Sequence, residues 1–342
     1  MWATRNVRNR RETVLSRLQT ADTAPMITIG LTCYNAEDTI ERGILGALEQ
    51  SWPNVEILVV DDCSTDGSWA LLLRIARDHP AIRIIRHEEN TGVAGAINTL
   101  VEAARGTFLA IFDDDDRSHV DRLAHQYQRL TAFEAEHPQA MVLCYSNRDV
   151  VPVGSNVPGF RRLGIGRRAP EPSGPIVADF ILGLLRDDGM HCWGMFGSCT
   201  LMARVSTFRE VGSFDRQFRR CAELDFAIRA AQADAYFISV DRPLITQFLT
   251  IAPEKSGDAD LRYRLLMAHK HKAYLSAKGA YRGALARTRA WFAWQKGRRM
   301  QAYLWRAISL VQYNPRVTLE LIKTRRRGRS SHVETIEPLK KV

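Results

Sequence analysis

Phe108-Leu109-Ala110-Ile111-Phe112-Asp113-Asp114-Asp115-Asp116 joins five apolar residues to four consecutive carboxylates. The apolar half reads as a short buried strand. The acidic half repels itself and adds no stability on its own. A divalent cation removes that repulsion. Mg²⁺ or Mn²⁺ prefers hard oxygen ligands, usually one or two carboxylates plus substrate phosphates. Side chains at i and i+2 of a strand share a face, so Asp113 and Asp115 can act together. Taken alone, the tetrad reads as a solvated acidic turn, which is common. The chain before it changes that reading.

Pro25 opens a β-rich run, Met26 to Thr32, that leads into Cys33-Tyr34-Asn35. Ile40, Ile44, Leu45 and Leu48 then follow a helical spacing, with Asn35 as the expected N-cap. Val55 to Val60 is a second apolar strand and runs into Asp61-Asp62-Cys63-Ser64-Thr65-Asp66-Gly67. Ser68 to Asp78 reads as helix and Ile82 to Arg86 as a third strand. Val93, Ile97, Leu100, Val101 and Ala104 mark the next helix, and Gly106 leads back to the aspartate strand. This alternation predicts a Rossmann-like α/β fold, a mostly parallel sheet covered by helices on both faces. Ligands of such sheets bind beyond the carboxyl ends of the strands. Polar clusters stand at three of those ends: Thr32-Tyr34-Asn35, Asp61-Asp62, and Asp113 to Asp116.

The three clusters, in order and at these spacings, resemble the nucleotide-sugar-binding half of family 2 glycosyltransferases with the GT-A fold. The matching stretches are ITIGLTCYN, QSWPNVEILVVDDCSTDGS and NTGVAGAINTLVEAARGTFLAIFDDDDRSHVDRL. The resemblance implies that Thr32, Tyr34 and Asn35 line the nucleotide pocket. It implies that Asp62, beside Asp61, accepts a hydrogen bond from the base, and that Asn90 and Gly92 form the loop under the diphosphate. Asp113 and Asp114 then lie at the donor's ribose and sugar, and Asp115, with Asp113, holds Mn²⁺ or Mg²⁺. The family often carries a basic residue shortly after that glycine. Here Val93-Ala94-Gly95-Ala96 follows, so Arg86 is the expected source of positive charge.

The second half resembles the family more loosely. Met141 to Ser146 reads as a strand, and 150–175, rich in Gly, Pro and Arg, as a long loop. Ala178 to Arg186 reads as helix and Cys199 to Ala203 as strand. The stretch from His191 to Ser198 corresponds to the acceptor side, with Trp193 and Gly197 as candidates and His191 as a structural histidine. Gly212-Ser213-Phe214-Asp215 and Cys221 to Arg229 resemble the closing motif, where an acidic residue at a helix start is the catalytic base. That alignment implies Glu223 as the base, where the family usually has Asp, preceded here by Ala222. A carboxylate within about 3 Å of an acceptor hydroxyl contributes about 10²- to 10⁴-fold. Asp225 falls on the acceptor side and can also pair with Arg229 four residues on. Where relatives place a histidine for metal or diphosphate, this chain has Gln247 and Thr250, and His269 and His271 lie deeper.

The 342 residues suit one large domain or two ordinary ones. We expect an arm at 1–25, donor and acceptor halves at 26–130 and 131–257, and a basic helical extension at 258–342. No apolar run reaches the roughly 18 residues of a membrane span, and Met1 to Arg17 lacks an apolar h-region. Six scattered cysteines without CxxC spacing suggest reduced thiols in a cytoplasmic protein. From Leu261 to Arg329 the sequence has eighteen Lys or Arg and one acid, a net +17 that leaves −7 for the rest of a +10 chain. Aromatics interleave with those cations, and Met300, Leu304, Ala307, Ile308 and Val311 form a helical stripe that ends at Asn314-Pro315. The pattern suits the inner face of an anionic membrane, or a helical hairpin packed on the body. Nucleic acid is disfavoured, since no recognised binding motif accompanies the charge.

The resulting expectation is an inverting transferase that moves a sugar from a nucleoside-diphosphate sugar to a hydroxyl of a sugar, lipid-linked or other acceptor. Surface polysaccharide or glycoconjugate assembly is the setting. The rival is a GT-A-like nucleotide-sugar-binding or scaffold protein at a membrane, without turnover.

Overall fold

The computed structural model describes residues 24–185, 188–249, 257–319, 321 and 333–335. The expected N-terminal arm therefore lies outside the described residues.

The alternation in the first half is realised as strands β1 (Ile27–Cys33), β2 (Val55–Asp61), β3 (Ile82–Arg86) and β4 (Phe108–Asp113). The helices between and after them are α1 (Ile40–Leu48), α2 (Ser68–Asp78), α3 (Gly92–Ala103) and α4 (Arg122–Glu136). The four strands run parallel in the order β3-β2-β1-β4. Strict alternation sorts their side chains to two faces. Leu58, Val60, Leu109 and Ile111 face α3 in one core, while Ile57, Val59, Phe108 and Phe112 face α1 and α4 in the other. Each such side chain, fully buried, contributes about 1.5–3 kcal/mol. A Cβ on Gly30 would come within 2.9 Å of the Leu100 Cδ1 methyl, so a larger residue would have to push that side chain of α3 aside.

The second half extends the same sheet. A two-residue strand β5 (Arg117–Ser118) follows the aspartates, and then come β6 (Val142–Val151), β7 (Phe160–Arg162), β8 (Met202–Arg204) and β9 (Tyr236–Phe248). β8 joins β4 to β6, and β9 pairs with both β5 and β6. Both expected halves thus share one sheet, and position 130 falls inside α4. Helices α5 (Pro175–Ile181), α6 (Val205–Val211) and α7 (Ala222–Gln232) cover the face that carries α3.

Several local readings change. The 150–175 loop contains β7, which returns antiparallel along β6 with Arg161 paired to Asp149 at 2.7 Å. Three residues are too few to show a period. Cys199 lies in a 3-10 turn (Ser198–Thr200) and the strand begins at Met202. Leu244 lies within β9, and Pro243 sits where the β6–β9 register shifts. Proline has no N–H to give a ladder, so a bulge is where it fits. Asn35 is not an N-cap, since α1 starts at Ile40 after Thr39.

The basic extension is helical, as expected: α8 (Gly257–Lys270), α9 (Lys272–Ala277), α10 (Tyr281–Gln295) and α11 (Arg299–Gln312). A short strand, β10 (Val333–Thr335), pairs with β7 at the sheet edge. α10 and α11 form a hairpin above a small core of Leu184, Leu275, Ala284 and Tyr313. Its packing uses the face opposite the apolar stripe. Ala302 and Ser309 turn inward, where Ser309 Oγ donates to the Gly283 carbonyl at 3.0 Å. Small residues let the two helices approach closely, which leaves the larger apolar stripe outside.

Candidate active site

The strand order places the site. β1 lies between β2 and β4, so the chain's winding reverses there and a crevice opens at the strand ends. Register then aligns the polar clusters, with Thr32 opposite Asp113 and Cys33 opposite Asp61. α1 presses on the acidic turn at a glycine. A Cβ on Gly43 would meet the Asp113 carbonyl at 3.0 Å and Asp114 Cα at 3.1 Å. Beneath the turn, the buried Arg122 donates to the Ile111 carbonyl at 2.8 Å and stacks 4.1 Å from the Phe112 ring.

The crevice is a cleft of about 480 Å³ that Thr32, Tyr34, Asp62, Asn90, Gly92 and Asp114 line together. Asp62 is its hub. Its Oδ1 accepts from Thr91 N and Thr91 Oγ1 and pairs with His87 Nδ1, each at 2.8 Å, and its Oδ2 accepts from Gly92 N at 2.7 Å. Asp62 therefore fixes the start of α3. One oxygen is saturated, and Oδ2 is the one left to meet a ligand. Asn35 and Asp61 stand behind the cleft. Asn35, in the left-handed region at φ 49°, accepts from Thr65 N at 2.8 Å and ties two loops together. Asp61 accepts from Ser64 N at 3.2 Å and pairs with Arg86 at 3.3 Å.

That pairing corrects the role expected of Arg86, which is spent on Asp61 and on the Trp69 ring, 5.0 Å away. Arg219 and Arg220 line the cleft instead. Arg219 donates to the side chain and carbonyl of Asn90 and lies over Gly92, whose φ is +77°. The sequence signal was present in Arg219-Arg220, just ahead of Cys221 and Glu223.

The four aspartates crowd as expected. Burial, then Asp115 and Asp113, raise the Asp114 carboxyl to about 8. Burial with Asp113 and Asp115 raises Asp116 to about 8 as well, and burial with Asp115 raises Asp113 to about 6. Ligand atoms of Asp113, Asp116 and Cys199 lie within 4.8 Å of one another. Asp116 Oδ2 is buried with no hydrogen-bond partner among the described residues. This donor set suits a hard divalent cation through its carboxylates. Cys199 fits less well, because burial raises its thiol pKa and Arg148 Nη1 lies 2.9 Å from its sulfur.

Glu223 sits in the first turn of α7, after Cys221 in the left-handed region at φ 62°. Burial raises its carboxyl above the ordinary value; its own N–H, Arg148, Arg220 and Arg264 oppose this only in part. Its charge acts on Asp113 and Tyr145, so it lies near the end of the acidic turn. Arg148, on β6, sits among Asp113, Asp116, Cys199 and Glu223 as their common counter-charge.

The acceptor-side candidates divide. Gly197 lies against Arg148, since a Cβ there would meet its Nη1 at 2.5 Å. Trp193 has no exposed surface to offer an acceptor: it stacks on Phe180 at 4.2 Å and donates to Asp188 at 3.1 Å. His191 is structural, paired with the same Asp188 at 2.6 Å.

Asp225 also leaves the acceptor side. It is fully buried and binds His271 Nε2 at 2.9 Å, Lys270 Nζ at 2.9 Å and Arg229 Nε at 3.0 Å, which locks α7 to α8. Despite burial, His271, Lys270 and Arg229 lower its pKa to about 2. A lowered pKa contributes stability that is complete above the unfolded carboxylate value and is lost as pH falls through about 2. Asp225→Asn is therefore expected to cost about 1.5–3 kcal/mol at neutral pH, since it weakens charge-assisted hydrogen bonds made by a fully buried carboxylate. Urea unfolding at pH 7 and pH 3 checks this, with a smaller loss at the lower pH.

Residues 28–166 match the model of glycosyl transferase family 2. This stretch is similar to the family 2 glycosyltransferases. Glu223 lies beyond the matched stretch. The succinoglycan biosynthesis protein ExoO of Rhizobium meliloti is 39% identical over 130 residues, 38% of this chain and 35% of that one. The E. coli enzyme WfaP, named UDP-Glc:alpha-D-GlcNAc-diphosphoundecaprenol beta-1,3-glucosyltransferase, is 33% identical over 101 residues, 30% of this chain and 39% of its own. The chain thus spans well under half the length of either relative. Residues 1–349 of S. aureus TarS, solved with UDP-GlcNAc, share the fold with a TM-score of 0.53 at 17% identity, over 86% of this chain and 84% of that one. The chain therefore has the GT-A fold expected from its motifs. Among the described residues no helix is long and apolar enough to cross a membrane.

Proposed function

We propose that the protein is an inverting glycosyltransferase that moves a sugar from a nucleoside-diphosphate sugar to an acceptor hydroxyl in surface polysaccharide assembly. One observation supports the reading: a half-buried carboxylate at a helix start, Glu223, stands close enough to the end of the acidic turn to act electrostatically on Asp113. The cleft with Asp62, Asn90 and Arg219 lies beside them. The donor and acceptor in WfaP's name support a nucleotide sugar and a lipid-linked hydroxyl here too.

Tyr34 and Asp62 receive the nucleoside, and the start of α3 with Arg219 receives the diphosphate. Asp113 and Asp115 would hold Mn²⁺ or Mg²⁺, with Asp116 in reserve; when bound, the cation stabilises charge on the departing diphosphate. Glu223 takes the proton of the acceptor hydroxyl. The freed oxygen bonds to the anomeric carbon from the face opposite the diphosphate. The carbon–oxygen bond to the diphosphate breaks, and its electron pair leaves with the phosphate. A carboxyl raised by burial is a stronger base than one in water, which suits that first step.

A thermal-shift panel of nucleoside diphosphates with Mn²⁺ tests the donor half. At least one is expected to raise the melting temperature. Arg219→Ala is expected to weaken that ligand about ten- to a hundredfold, since a charge-assisted hydrogen bond is worth about 1.5–3 kcal/mol. A panel without any shift would sink the reading.

A further inference from the structure

We infer that α11 docks the protein on a membrane surface rich in anionic phospholipid, with Met300, Leu304 and Val311 entering the acyl boundary. The inference stands on this helix alone and does not depend on the transfer reaction. Positions 300, 304 and 311 share one helix face. Met300 is 83% exposed, Leu304 61% and Val311 85%, while the opposite face buries only Ala302 and Ser309. The apolar side of this amphipathic helix therefore points to solvent, the reverse of what a helix packed on its own body shows.

The surroundings select the occupant. Arg298, Arg299, Arg306 and Arg316 are exposed along the same hairpin, and Arg299 lies 3.9 Å over the Trp294 ring. Trp291, Trp294 and Tyr303 border a cleft of about 590 Å³ between α10 and α11, beside the stripe. Apolar side chains flanked by tryptophan, tyrosine and arginine match the layering of a lipid interface: acyl chains, then headgroup level, then phosphates. The segment from Leu261 to Arg329 carries +17. A second copy of the chain would bring two such segments together and be repelled. A nucleic acid would satisfy the arginines yet leave the stripe in water.

The test uses the full chain and sedimentation with vesicles of phosphatidylcholine, or of equal parts phosphatidylcholine and phosphatidylglycerol. The wild type is expected to pellet with the anionic vesicles and to be released by high salt. The triple variant Met300→Glu, Leu304→Glu, Val311→Glu is expected to bind them at least about tenfold more weakly. All three positions face solvent, so its melting temperature should match wild type. Equal pelleting of variant and wild type would overturn the inference. So would a wild-type dimer that the variant abolishes without any vesicle binding, which would assign the stripe to a second copy. The nucleoside diphosphate shift, read in the same samples, reports on the donor cleft separately.

Discussion

Glu223→Gln is expected to lower transfer by about 10²- to 10⁴-fold, the range for losing a positioned general base, and to leave nucleoside diphosphate binding unchanged. The amide keeps the shape and the hydrogen bonding of the side chain but cannot take a proton. Donor binding survives because the cleft residues Tyr34, Asp62, Asn90 and Arg219 do not depend on Glu223. The pH dependence carries a second signature. Only the ionised carboxylate is a base, so the wild-type rate must rise with pH through the Glu223 pKa. Burial sets that pKa above the ordinary 4.5. The acidic limb should therefore lie on the neutral side of an ordinary glutamate, and it should vanish in the Gln variant's residual rate. Glu223→Asp is the informative companion. It restores the residue type usual in the family but sets the carboxylate back by one methylene, so partial activity is expected. Turnover at the wild-type rate by Glu223→Gln would remove this residue from the chemistry and leave the rival reading, a protein that binds without transferring.

Much of this arrangement was legible because it is local or periodic. The four parallel strands follow from apolar runs bounded by turns, and strand ends are where polar residues gather. Thr32, Tyr34, Asp62, Asn90, Gly92 and Asp114 do share one cleft. What the sequence hid is long-range pairing. Asp225 and Asp62 are both short acidic residues next to turns. Only the fold reveals that Asp225 meets Lys270 and His271 more than forty residues away, and is thereby taken out of the site. Arg86 and Arg219 show the same limit. Each is a plausible counter-charge by position, yet β2 pairs with β3 and delivers Arg86 to Asp61, while the segment before α7 delivers Arg219 to Asn90. The sequence leaves α11 undecided between membrane and body for a different reason. Its apolar period is real, but period fixes only that residues share a face, not whether that face meets protein or solvent.

Asp115→Ala is expected to move two measurements in opposite directions. Asp115 acts on each of its three acidic neighbours: it follows burial among the causes that raise Asp113 and Asp114, and follows burial and Asp113 for Asp116. Carboxyls raised in the folded state destabilise it as pH climbs from the unfolded value of 3.8 to about 6 for Asp113 and about 8 for Asp114 and Asp116. Removing Asp115 relieves that repulsion. In chelator at pH 8 the variant should melt higher than wild type, and the gain should shrink toward pH 4, where the neighbours are protonated in both. With Mn²⁺ and nucleoside diphosphate the order should reverse. Wild type gains the stabilisation of a cation gripped by carboxylates and phosphates. The variant loses a hard ligand, and with it several kcal/mol of charge stabilisation, on the order of a hundredfold or more in turnover. A residue that merely completed an acidic turn would give the first effect without the second. An Asp115→Ala variant that keeps the full Mn²⁺-dependent shift would show that this carboxylate does not hold the cation. The buried, unpartnered oxygen of Asp116 would then be the ligand to test next.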